Sequence, residues 1–152
     1  MRADLEIIQQ WVRPGHHILD LGCGDGTLLD FLQRERNAPG FGLEINPDPI
    51  PTCMGRGVRV IEQNLDTQGL DNFDDGMFDI VLMTQALQAV RRPDKVIDEM
   101  LRVGREGIVT FPNFAHWRLR WGLALSGPLP EPAAPPHKWY KTPTKRPCPP
   151  KE

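Results

Sequence analysis

Apolar and polar positions change rhythm several times along the first 110 residues, and each change marks an element. Between Asp4 and Val12, Leu5, Ile8 and the pair Trp11–Val12 recur at helical spacing, predicting an amphipathic helix that Pro14–Gly15 ends. "HHILDLG" (16–22) then reads as a short buried strand, and "TLLDFLQRER" (27–36) as the helix that follows it. "GFGLEI" (40–45) is a second strand, cut off by Asn46-Pro47-Asp48-Pro49. The segment from Pro49 to Gly55 is a weaker helix, because Pro49 and Pro51 suit only a first turn. "VRVIEQN" (58–64) predicts a third strand, and Asp74-Asp75-Gly76 a turn before the fourth, "MFDIVLMT" (77–84). Over 93–103, Val96, Ile97, Met100, Leu101 and Val103 return to helical spacing, with Pro93 at the start and Gly104 after the end. "EGIVTFP" (106–112) is a fifth strand, and Ala115 to Ser126 a last helix.

Strands that alternate with helices imply βαβ units. Each crossover returns the chain to the same direction, so the expected fold is α/β: a parallel sheet of about five strands with helices on both faces. The organisation changes at Gly127. Nine of the 25 residues from Pro128 to Glu152 are proline (128, 130, 132, 135, 136, 143, 147, 149 and 150), and apolar periodicity is gone. Such a segment buries too little surface to offset its ordering entropy. The reading is therefore one folded domain over 1–127 and a proline-rich, disordered tail over 128–152.

Composition narrows the class. The 152 residues carry a formal net charge of −2, so no global basic field draws the chain to nucleic acid. No apolar run reaches the roughly 18 residues of a membrane span, and "MRADLEIIQQWV" lacks the apolar core of a signal peptide. Cys23, Cys53 and Cys148 are irregularly spaced and form neither a disulfide framework nor a metal pattern, so no metal is expected. A soluble cytoplasmic protein with reduced thiols is the expectation.

The chemistry concentrates between the first strand and its helix, where Gly22, Gly24 and Gly26 form GxGxG. The third glycine of a dinucleotide turn would fall at position 27, which is Thr27, and no lysine of a phosphate loop is present. Asp20 and Asp25 flank the turn, a poor setting for pyrophosphate and a good one for a ligand carrying cations. S-adenosylmethionine, with an ammonium and a sulfonium and no phosphate, fits. Its carboxylate could use free N–H groups near Gly26 and Thr27. Glu44, at the end of the second strand, can accept hydrogen bonds from vicinal ribose hydroxyls; the plainer reading is a solvated charge. Asn64 to Asp66 close the third strand. They could receive an adenine amino group with Leu65 over the ring, or form an ordinary Asx turn.

"LDLGCGDG", the acidic "GLEI" and "FDIVLMTQALQAV" resemble the motifs of class I S-adenosylmethionine-dependent methyltransferases. Three further strings are similar to the MetW family of methionine-biosynthesis proteins: "MRADLEII", "QALQAVRRPDKVIDEMLRVGREGIVTFPNFAHWRLR" and Lys138-Trp139-Tyr140 with Thr142-Pro143. The resemblance covers residues 1 to about 143. It implies a Rossmann-like methyltransferase fold, S-adenosylmethionine as cofactor and homoserine O-acyltransferase as protein partner. It also implies a cofactor lining of Asp20, Gly22, Cys23, Gly24, Glu44, Asn64, Leu65 and Asp66, with Thr84 and Gln85 beside the methionine portion. Family members continue past this point with a further helix and two strands. The proline-rich end therefore reads as truncated or frame-shifted, and the usual C-terminal antiparallel hairpin is expected to be lacking.

No catalytic residue is assigned from the sequence. His116 in "FPNFAHW" could serve as a base or simply open a helix, and His16 and His17 belong to the far end of the first strand. Trp117, Trp121 and Leu125 make an apolar stripe with Arg118 and Arg120 beside it, read as core packing or as a partner surface. The leading expectation is a methyltransferase-like protein that supports homoserine O-acyltransferase. A genuine small-molecule methyltransferase is the alternative, and a non-functional fragment the third reading.

Overall fold

A computed structural model of the chain describes residues 3–84 and 86–110. Gln85, the end of the fifth strand, the 115–126 helix with His116 and its tryptophan stripe, and the tail from 128 lie outside the described residues.

The sheet has five strands: β1 (Ile18–Leu21), β2 (Gly40–Glu44), β3 (Arg59–Glu62), β4 (Phe78–Thr84) and β5 (Gly104–Thr110). All pair in parallel, in the order β3-β2-β1-β4-β5. Every residue of β1 is buried, as a central parallel strand covered on both faces requires. One face carries α1 (Ala3–Trp11), α2 (Thr27–Arg36) and α3 (Ile50–Gly55), whose Ile8, Leu29, Leu32 and Cys53 pack with Ile18, Ile80 and Leu82. The opposite face carries α5 (Pro93–Val103), whose Val96, Met100 and Val103 pack with Leu19, Leu21, Val81 and Met83. A short α4 (Leu65–Gln68) follows β3 on this second side, where Leu65 and Leu70 join the same cluster.

The strands and the longer helices fall where the periodicity predicts them, and the departures have local causes. Trp11 lies 53% exposed instead of on the buried face of α1, because the helix ends there and Val12, 2% exposed, takes the inner seat. The third strand is shorter than predicted: it ends at Glu62, and Asn64, itself still extended, caps α4 by accepting a hydrogen bond from the N–H of Asp66. The fifth strand starts at Gly104 rather than Glu106. A Cβ at Gly104 would run into Val81 and the Met100 carbonyl, so glycine lets the helix pass straight into the strand without a loop. In β2, side chains at Gly40 and Gly42 would collide with Leu29 and Cys23 respectively. The two glycines therefore let α2 and the turn before it settle close against the sheet.

Candidate functional site at the β1–β4 switch

In this strand order β1 sends its connection toward β2 on one side, while β4 lies on the other. That is a topological switch point, where open α/β sheets hold ligands outside the carboxyl ends of their strands. The glycine turn sits at that place. Gly22, Gly24 and Gly26 all have positive φ (79°, 55° and 75°), which explains three glycines in five positions. A Cβ at Gly22 would stand 2.9 Å from the Cβ of Ala86, so the chain leaving β4 passes directly beside the turn. Thr84, the last residue of β4 and two positions before Ala86, is half-buried.

Glu44 binds the turn to the second strand. Its Oε2 accepts the Gly24 N–H at 2.7 Å, and its Oε1 accepts the N–H groups of Ile45 and Asn46, both at 2.9 Å. The side chain is therefore a buried structural acceptor (8% exposed), not a solvated charge at a strand end. Three of the roughly four acceptor positions of its carboxylate are taken, which leaves capacity for about one further hydroxyl.

Asp20 has no such partners. It is 1% exposed on β1, and neither carboxylate oxygen has a hydrogen-bond partner among the described residues. Burial, and then the charge of Glu44, push its pKa up to about 7. A buried acid without a partner is costly unless it is protonated or meets a cation.

Asp25 behaves differently from its neighbour. Its Oδ2 lies 2.7 Å from Arg56, and this guanidinium, the largest influence, holds the carboxyl at about 2. The negative charge that Asp25 was expected to offer a ligand is thus answered within the protein, and Asp20 with Glu44 are the acids left to a cation. The expected N–H donors are also occupied: Gly26 donates to the Cys23 carbonyl at 3.0 Å and Thr27 to Asp25 Oδ1 at 3.1 Å.

The other sequence-predicted positions are distributed around this centre. Cys23 turns its thiol into the core against Gly42 and Cys53, and burial pushes its pKa well above the thiol range. Its N–H donates to the Leu43 carbonyl at 3.1 Å, so neither end of Cys23 is directed to a ligand. Asn64 takes the plainer of its two readings, a cap, and Gln68 Oε1 reciprocates by accepting the Asn64 N–H at 2.8 Å. Asp66 accepts the Arg91 N–H at 2.7 Å and so ties the start of α4 to the segment leading into α5. Leu65 and Asp66 both line a groove between α4 and α5 that shares no lining residue with the glycine turn.

Sequence reasoning missed three residues that shape the turn: Ala86, Cys53 and Arg56. Cys53 and Arg56 are three apart and so share a helical face at α3, but nothing in their own spacing indicates what that face meets.

A family model described as methionine biosynthesis protein MetW matches residues 2–149. The bifunctional methionine biosynthesis protein MetXA/MetW of Rhodopirellula baltica is 36% identical over 96% of this chain, which spans 25% of that relative's length. Among solved structures, a SAM-dependent methyltransferase from Archaeoglobus fulgidus superposes with a TM-score of 0.60, covering 67% of this chain and 46% of that one at 23% identity. The cyclase SpnF gives 0.57, covering 65% and 39% at 22% identity. These two likenesses concern the fold, and the second is a different reaction carried by the same architecture.

Proposed function

The chain belongs to the MetW family of methionine biosynthesis proteins, and from that membership we propose that its glycine turn binds S-adenosylmethionine in support of homoserine O-acyltransferase. The observation that carries the ligand reading is Asp20, a buried carboxylate at the base of the turn with no hydrogen-bond partner among the described residues and with the charge of Glu44 nearby. A cationic ligand supplies the counter-charge that the protein withholds, whereas a phosphate would bring further negative charge to two acids.

In this reading Asp20 attracts a cationic group of the ligand. Glu44 offers its remaining acceptor capacity to a ribose hydroxyl. Gly24 lets the ligand approach the backbone, since a Cβ there would meet nothing within 4 Å, whereas Gly22 makes room for Ala86. When bound, S-adenosylmethionine supplies an electrophilic methyl group. Association with homoserine O-acyltransferase is supported by the relative whose name joins MetXA and MetW in one polypeptide.

Calorimetric titration of S-adenosylmethionine into the full chain tests the ligand. Binding heat is expected for the wild type, with affinity reduced at least tenfold in Asp20→Asn, since a lost charge-assisted contact is worth about 1.5–3 kcal/mol. Absence of heat in the wild type would overturn the ligand, and equal affinities would overturn the role of Asp20.

A further inference from the structure

We infer that α3 is a clamp on the glycine turn and that Arg56, immediately after it, is a positioning residue for the ligand, an inference that rests on the S-adenosylmethionine reading above. The Cys53 thiol donates to the Gly24 carbonyl at 3.0 Å. Arg56 donates to the next carbonyl, that of Asp25, while Nη1 ion-pairs with Asp25 Oδ2 at 2.7 Å and donates to Thr27 Oγ1 at 2.9 Å. Glu44 takes the Gly24 N–H from the other side. Two consecutive carbonyls of the turn are thus held from the α3 side, and the peptide N–H that precedes them is held by β2.

The turn needs such restraint. Three glycines give it more backbone freedom than any other stretch of its length, and a ligand that meets a loose turn must order it on binding. Among the described residues, the hydrogen-bond and ion-pair partners of the Arg56 side chain are Asp25 and Thr27, both local to the turn and neither in a core cluster. The ion pair is also open to water, with the Arg56 side chain 33% exposed and that of Asp25 52% exposed. A pair of that kind adds little to global stability, so its effect falls on the shape of the turn. α3 lies on the connection from β2 to β3, so the groups that hold the turn from that side follow the Glu44 corner in the chain.

The test separates positioning from folding. Full-length Arg56→Ala, Arg56→Lys, Asp25→Asn and the Asp25→Asn/Arg56→Ala double variant are titrated with S-adenosylmethionine, at a temperature where circular dichroism shows each to be folded. Asn at 25 can still accept the Thr27 N–H through its one carbonyl oxygen, so that variant keeps this bond and removes the ion pair together with the acceptor of the Thr27 hydroxyl. Arg56→Ala removes the ion pair from the other side and leaves that acceptor in place. Expected are a roughly tenfold loss of affinity in Arg56→Ala with little change in Tm, and partial rescue by lysine. The double variant should be no worse than the worse single, as coupled partners require. In ligand-free protein, the amide resonances of Gly24 and Gly26 should shift and exchange faster in Arg56→Ala. Binding by the wild type with unchanged affinity in Arg56→Ala overturns the clamp and leaves the ligand reading intact. A fall in Tm with unchanged affinity makes Arg56 structural and overturns it equally. No binding by the wild type overturns the ligand reading itself, and the clamp's role toward a ligand with it.

Discussion

Asp20 and Asp25 sit five positions apart at the two ends of one turn and have opposite proton chemistry. Asp25 is held at about 2 by Arg56, while Asp20, desolvated and beside Glu44, is pushed up to about 7. The sign of the consequence follows from the direction. Between its ordinary value near 3.8 and about 7, folded Asp20 keeps a proton that the unfolded chain releases, so this residue's contribution lowers stability as pH rises through that window. Asp20→Asn is therefore expected to be more stable than the wild type at about pH 8, by on the order of 2–4 kcal/mol, and close to it at about pH 4. If the turn binds S-adenosylmethionine as proposed, its affinity is expected to move the other way: in the wild type to weaken as pH falls below about 7 and Asp20 protonates, and in Asp20→Asn to be weak and flat. Urea unfolding and calorimetry across this range measure both, and a variant that is less stable at high pH would contradict the assignment. The pairing of an acid with a glycine turn is legible in the sequence. Which acid is free is not, because Arg56 reaches Asp25 across 31 positions of chain.

At the scale of elements, the caps and connections decide more than the strands. Asn64 closes β3 by capping α4, with Gln68 returning a hydrogen bond, and a four-residue helix depends on such groups because it has almost no internal hydrogen bonds. Asn64→Ala is expected to cost about 0.5–2 kcal/mol in chemical denaturation, with Asn64→Asp restoring it. Affinity for S-adenosylmethionine should stay within about twofold in both, because the carboxamide oxygen is committed to the Asp66 N–H; a large loss of affinity without loss of stability would return Asn64 to the ligand. The periodicity of β1, β4, α2 and α5 was readable because each buries a regular set of positions. The ends were not. Trp11 and Val12 are equally apolar, and only the termination of α1 against the sheet determines that valine goes in and tryptophan stays out. The pairs Gly40–Leu29 and Gly42–Cys23 likewise become visible only when α2 and the turn are laid on β2.

For the molecule as a whole, the five-stranded sheet brings Glu44 and Ala86 to the glycine turn from at or beyond the carboxyl ends of β2 and β4, the neighbours of β1, with α3 alongside. The His17 end of β1 is elsewhere: its N–H donates to Asp79 at 2.9 Å near the start of β4, away from the turn, as expected from the strand direction. If the protein supports homoserine O-acyltransferase, the full chain mixed with that enzyme at micromolar concentration should co-elute with it in size-exclusion chromatography. Separate elution under those conditions would remove the partner from the reading. The chain spans only a quarter of the relative in which the two names are joined, so the experiment bears on the association directly. Alternating strands and helices, the GxGxG turn without a phosphate lysine, and the acid at the end of the second strand were determined by the sequence alone. Backbone periodicity and side-chain charge are local properties, and they suffice for a parallel α/β fold and for the expectation that the turn suits a cation better than a phosphate. Tertiary structure decided that Asp25 is neutralised, that Glu44 is a buried tether as well as a candidate acceptor, that Cys23 faces the core, and that α3 grips the turn. Each of these depends on which groups meet across the fold, and the free energy of a buried charge is set by those neighbours and by the water they exclude.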